Sequence, residues 1–174
     1  MFFSTVSSQC ASLLCRNDFL TMSDRDLADN CRIDVFCGSG PGGQHRNRNY
    51  TAVRVVFKPL EGFVAEESSF RSQKQNLAAA LQKLRLKIAC SWRNDPEENF
   101  SYRHLNGSNA LYPLEFAKLL DTVVFSGFDH RQAAAMANIS ATLLLKELAR
   151  DYMVWDKFTL RRSELGLPEL KKPR

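Results

Sequence analysis

The 174-residue chain has an apolar share of 44%, a charged share of 25% and a net charge of +5. These values fit one globular domain, or a domain with a small extension, and its basic balance favours an anionic partner. No apolar run approaches the ~20 residues of a membrane span. Five cysteines (Cys10, Cys15, Cys31, Cys37 and Cys90) form no CxxC pair and no Cys/His cluster of zinc spacing. No zinc cluster or membrane span is therefore expected, and an odd thiol count without a secretory signal fits a reducing cytoplasm.

In chain order, residues 1–21 (MFFSTVSSQCASLLCRNDFLT) are Ser-rich, with Asp18 the first acid and Arg16 the one arginine. A mitochondrial presequence would carry several arginines, so a disordered leader is the better expectation, with Met22 as an alternative start. Residues 31–67 are β-rich. CRIDVFC alternates, with Ile33 and Val35 on one side, and TAVRVVFK sets Val53, Val55 and Phe57 opposite Arg54 and Lys58. Pro59 stops the strand, Gly62 makes a turn, and FVA offers a short return strand.

Residues 69–92 predict a long helix. Leu77, Leu81, Leu84, Ile88 and Trp92 form one apolar stripe, and Ser72 with Gln75 has capping-box spacing. Arg71, Lys74, Lys83, Arg85 and Lys87 crowd the remaining surface with no acid among them. Lys74 stands where a cation opposes the helix dipole, so this charge points to a partner as readily as to a solvated face. Residues 94–110 read as a linker rich in turn formers. Beyond them PLEFAKLLDTVVF, HRQAAAMAN and ATLLLKELARDYMVWDKF are helical, broken at SGFD and NIS. HRQAAAMANISATLLLKELARD has helix-turn-helix spacing. The simpler expectation is a helical bundle, with Leu114, Ala117, Leu120 and Val124 facing Ala134, Ala137, Leu144 and Leu148, and with Tyr152 and Trp155 in the same core.

Between the first two strands lies GSGPGGQHRNRNY. Gly38, Gly40 and Gly43 match the dinucleotide fingerprint, but no helix follows to receive a pyrophosphate. A bare hairpin loop has no need to gather Gln44, His45, Arg46, Asn47, Arg48 and Asn49 at one end. The residues instead suit contact with nucleic acid. Gly42 and Gly43 allow unusual backbone and close approach, Pro41 stiffens the tip, and Arg46 and Arg48 can meet phosphates.

The pattern Ser39, Gly40, Gly42-Gly43-Gln44, Asn47, then Ala52-Val53-Arg54, Pro59, Gly62, Arg71-Ser72-Gln73 and Asn76 resembles the GGQ domain of class I peptide chain release factors and their stand-alone relatives. Arg46 stands where that family usually has valine, and Arg48 where it has lysine. The resemblance implies an α+β fold: a small mixed β-sheet packed by a long basic helix, a protruding GGQ loop, and a small C-terminal helical domain after it. The expected divisions are a leader over 1–21, a GGQ domain over 22–93, a linker over 94–110, helices over 111–165 and a mildly basic tail over 166–174.

The resemblance also implies hydrolysis of the peptidyl-tRNA ester at the peptidyl-transferase centre of the large ribosomal subunit, without cofactor or metal. Gly42, Gly43 and Gln44 would be catalytic, the Gln44 backbone N–H stabilising charge at the terminal ribose. His45, Arg46, Asn47, Arg48, Arg54, Arg71, Lys74, Lys83, Arg85 and Lys87 would contact RNA. About forty residues precede the motif, which leads to the expectation of a codon-independent, monomeric rescue or quality-control factor rather than a codon reader. The alternatives are a non-catalytic ribosome or RNA binder that keeps the fold, and a helix-turn-helix nucleic-acid binder with a relic GGQ domain.

Overall fold

The computed structural model describes residues 15–37 and 50–173. Among them the chain divides into two compact units between Ile88 and Ala89.

The first unit opens with two short helices, α1 (Arg16–Thr21) and α2 (Asp24–Asp29). The Asp18 carboxylate accepts the Cys15 N–H at 2.7 Å, and Ser23 caps α2 by accepting from the Asp26 N–H. The last residues of the expected leader, 16–21, are helical, and residues 1–14 lie outside the described residues. Phe19 and Leu20 are buried, and the Phe19 ring meets Phe57 edge to face at 4.9 Å. Three strands follow: β1 (Cys31–Phe36), β2 (Ala52–Phe57) and β3 (Val64–Glu67), in spatial order β1-β2-β3. The sheet is antiparallel throughout rather than mixed, because each strand returns directly along its predecessor. Gly62 supplies the positive φ (84°) of the second return, closed by the Phe57 N–H donating to the Phe63 carbonyl.

Register fixes the faces. Cys31, Ile33 and Val35 lie opposite Phe57, Val55 and Val53 on the inner face. Val53, Val55 and Phe57 are fully buried, as their alternation predicts, whereas Ile33 and Val35 on the edge strand stay about two-fifths exposed. Helix α3 (Gln73–Ser91) buries Ala80, Leu81, Leu84 and Ile88, while Leu77 and Trp92 are only half-buried. The last three residues of α3, Ala89–Ser91, group with the second unit.

The second unit is helical: α4 (Tyr112–Phe125), α5 (His130–Met136), α6 (Ala141–Ala149) and α7 (Tyr152–Glu164). Each packs on the next. Ala117, Leu120, Ala134, Ala137, Leu144 and Leu148 are buried, Leu114 and Val124 half-buried. Asp129, Ser140 and Asp151 cap the helices that follow them. Trp155 belongs to this core, but Tyr152, expected beside it, is 70% exposed. It opens α7 directly after the Asp151 cap, with the Lys172 ammonium 5.5 Å from its ring.

The stretch read as a linker is fastened to these helices. Phe100 and Tyr102 are buried, and the Arg103 guanidinium is 2.5 Å from the Glu115 carboxylate. The buried Glu147 carboxylate accepts the Tyr102 hydroxyl at 2.8 Å and Arg150 Nη1 at 3.0 Å, and His104 Nδ1 lies 2.6 Å from it. Burial and the contact with Glu147 hold the Tyr102 phenol well above its ordinary pKa. Arg93 and Asp121 form a second buried pair at 3.1 Å. No helix among the described residues is long and apolar enough to cross a membrane. Removing one donor from a buried carboxylate costs about 1–2 kcal/mol. Tyr102→Phe is accordingly expected to lower unfolding free energy by that amount in urea titration.

Candidate functional site: the stem of the glycine loop

The last register pair of the first hairpin is Phe36 with Ala52, so residues 37–51 close the connection between β1 and β2. Gly42, Gly43, Gln44, His45, Arg46, Asn47 and Arg48 lie outside the described residues. The stem that carries them is described on both sides, and three devices hold it.

The first is the strand ladder. The second is Arg54 on the outer face of β2. Its guanidinium lies 5.4 Å over the Phe36 ring and 2.6 Å from the Glu66 carboxylate, so it links β1, β2 and β3. The third is Asn76 in the first turn of α3, which is fully buried. Its Nδ2 donates to the Thr51 carbonyl at 2.6 Å and to the Phe70 carbonyl at 3.0 Å. Its Oδ1 accepts the Phe70 N–H at 2.9 Å. One side-chain amide therefore satisfies three backbone groups of two irregular segments, the stem after the loop and the turn before α3.

The basic residues expected at an RNA surface separate into two groups. Arg85 corrects the expectation of a surface position. It is buried, with Nη1 2.6 Å from Asp24 and Nη2 donating to the Met22 carbonyl, and so holds α2 to α3. Its acid stands on another element, invisible in a scan of the helix alone. Lys83 pairs with Glu67 at 2.8 Å, and the half-buried Lys87 donates to the Val64 carbonyl at 3.2 Å. Both fasten β3 to α3. Arg71 and Lys74 are exposed, and no ion pair engages either among the described residues.

Glu67 is buried under this arrangement. Lys83, the Ser69 hydroxyl and the Ser69 and Ser68 N–H groups all bond its carboxylate and hold its pKa at about 2, below the ordinary 4.5. Asn76 matches the motif pattern by position, but nothing in the sequence reveals its bonding role. The available signal is a polar residue on the face that carries Ala80 and Leu84.

The segment holding the loop, its stem and α3 is the part that matches a known family. The RF-1 domain model covers residues 24–110. The chain belongs to the RF-1 domain family. Its relatives include peptide chain release factor 1 of Delftia acidovorans, 45% identical over 78 residues, or 45% of this chain and 20% of that protein. Peptide chain release factor 2 of Rickettsia bellii is 34% identical over 116 residues, 61% of this chain and 30% of that protein. Peptide chain release factor 1 of Bifidobacterium animalis subsp. lactis is 32% identical over 131 residues, 73% of this chain and 33% of that protein. The matched regions thus span between a fifth and a third of these relatives. No solved structure matches the chain.

Two outcomes test the stem. Asn76→Ala leaves the Thr51 and Phe70 backbone groups without their partner and should cost about 2 kcal/mol in urea unfolding. The Glu67 carboxylate has a depressed folded pKa, so its contribution is complete above about 4.5 and is lost as pH falls towards about 2. Glu67→Gln should remove that part of the acid-side loss, seen as a flatter dependence of unfolding midpoint on pH across the same range.

Proposed function

We propose that this member of the RF-1 domain family hydrolyses the ester between nascent peptide and tRNA on the ribosome, independently of a codon, in rescue or quality control. The observation that carries the proposal is Gly42-Gly43-Gln44 inserted between the paired strand ends Phe36 and Ala52, inside the family-matched segment. Water attacks the ester carbonyl carbon, the bond from that carbon to the terminal ribose oxygen breaks, and the released ribose oxygen takes a proton. The backbone N–H of Gln44 stabilises the charge that develops on that oxygen. The Gln44 side chain shapes a pocket that admits water, and Gly42 and Gly43 give the backbone freedom to aim the amide. Ribosomal RNA and the peptidyl-tRNA supply the rest of the site by positioning.

Of the proposed RNA contacts, Arg71 and Lys74 are the described cations free to serve that purpose alone. Arg54, Lys83, Arg85 and Lys87 each hold a partner within the fold. The matched segment contains the glycine loop and its stem, and so hydrolysis, rather than codon reading, is the activity assigned to it. A second reading, nucleic-acid binding by α5 and α6, is favoured by the positive φ of Asn138 (52°), which turns one helix sharply into the next. It predicts salt-sensitive binding of duplex DNA, lost when 110–174 is deleted.

The deciding experiment is release of labelled peptide from loaded ribosomes. The wild-type chain should release at equal rates with stop, sense or vacant decoding sites. Gln44→Pro, which removes the N–H itself, should slow release by about 100-fold. Gly43→Ala should also impair it, and Gln44→Ala should keep the amide while loosening the selection of water. Equal rates for wild type and Gln44→Pro would sink the assignment.

A further inference from the structure

Asn76 brings together two segments that each present an exposed aromatic ring. Its Nδ2 donates at once to the carbonyls of Thr51 and Phe70, so these two backbone positions meet at one nitrogen. Tyr50, adjacent to Thr51, is 68% exposed, and Phe70 is 44% exposed. Arg71 and Lys74 follow Phe70 directly into the first turn of α3, and both are exposed.

The surrounding charge is one-sided. The acids that precede this turn already have partners, Glu66 in an exposed pair with Arg54 and the buried Glu67 with Lys83, Ser68 and Ser69. The first turn of α3 holds no acid, and Lys74 there opposes the helix dipole. Two exposed rings and two cations without an acidic partner among the described residues therefore stand around a buried hydrogen-bonded pin. Folding gains little from leaving these rings in water. A base stacked on each ring, with its phosphates against the guanidinium and the ammonium, would use all four groups.

We propose that Tyr50, Phe70, Arg71 and Lys74 form a platform for unpaired RNA at the foot of the glycine loop, the rings stacking on bases and the cations meeting phosphates. Asn76 is its positioning residue. Only the choice of RNA as partner rests on the proposed ribosomal function. The platform gives the loop a local foothold on RNA that does not depend on the ester being cut.

The test uses the full chain and two synthetic probes of equal length and charge, an unstructured oligoadenylate and its abasic counterpart, with binding read by fluorescence anisotropy at two salt concentrations. Wild type should bind oligoadenylate more tightly. Tyr50→Ala and Phe70→Ala should each weaken oligoadenylate binding by roughly tenfold, leave abasic binding unchanged and keep the wild-type melting temperature. Tyr50→Phe should retain wild-type affinity. Arg71→Ala and Lys74→Ala should weaken both probes and reduce the salt dependence. Equal binding of the two probes by wild type, or alanine variants at either ring that bind as wild type does, would overturn the platform. Peptide release by wild type and Gln44→Pro reports on hydrolysis separately, so either idea can fail while the other stands.

Discussion

The connection between β1 and β2 re-enters the described structure beside Thr51, and there a single buried amide, that of Asn76, holds it. Strand pairing ends at Phe36 and Ala52. Beyond that point the backbone groups of Thr51 and Phe70 have no ladder to join, and leaving them unpaired in part-buried positions would cost about 1–3 kcal/mol each. Asn76 has two donors and an acceptor in a fixed plane, which matches what these groups require. Aspartate offers no donor when ionised, and leucine offers neither donor nor acceptor. The chemistry of the stem therefore selects the residue.

Electrostatics then assign the basic helix to two tasks. Arg85, Lys83 and Lys87 reach across to α2 and β3 and satisfy an acid or a carbonyl there. Their charge is largely spent within the unit. Arg71 and Lys74 sit at the helix start, next to the stem, with no such partner among the described residues. A helix that looks uniformly basic in one dimension is thus structural along most of its length, and its available charge is concentrated near the loop.

Much of the architecture could be read directly from the chain. The alternation of Val53, Val55 and Phe57 located the central strand and its buried face, and the spacing of Leu81, Leu84 and Ile88 located the long helix and its buried stripe. Interactions between distant residues could not be read. Arg85 and Asp24 are separated by 61 positions, so periodicity on the helix made Arg85 look solvated. Phe19 and Leu20 were hidden in a Ser-rich context, although their aromatic and aliphatic bulk has a place against Phe57. The stretch 94–110 has the composition of a connector, yet Tyr102 and Arg103 find carboxylates on the helices. At the site, the motif pattern pointed to the family, while the bonding of the stem became visible only once Thr51, Phe70 and Asn76 had been brought together.

The thiols carry a practical corollary. Burial pushes Cys31 up to about 11 and Cys90 up to about 12, so at neutral pH both remain protonated inside the fold. Cys37 is half-buried and immediately precedes Gly38, while Cys15 is exposed before α1. Among the described residues, an alkylating dye would therefore mark the mouth of the first hairpin and the start of the first helix while sparing the interior. With Cys10 and Cys15 both replaced, a fluorophore on Cys37 would become a built-in reporter of what approaches the end of β1.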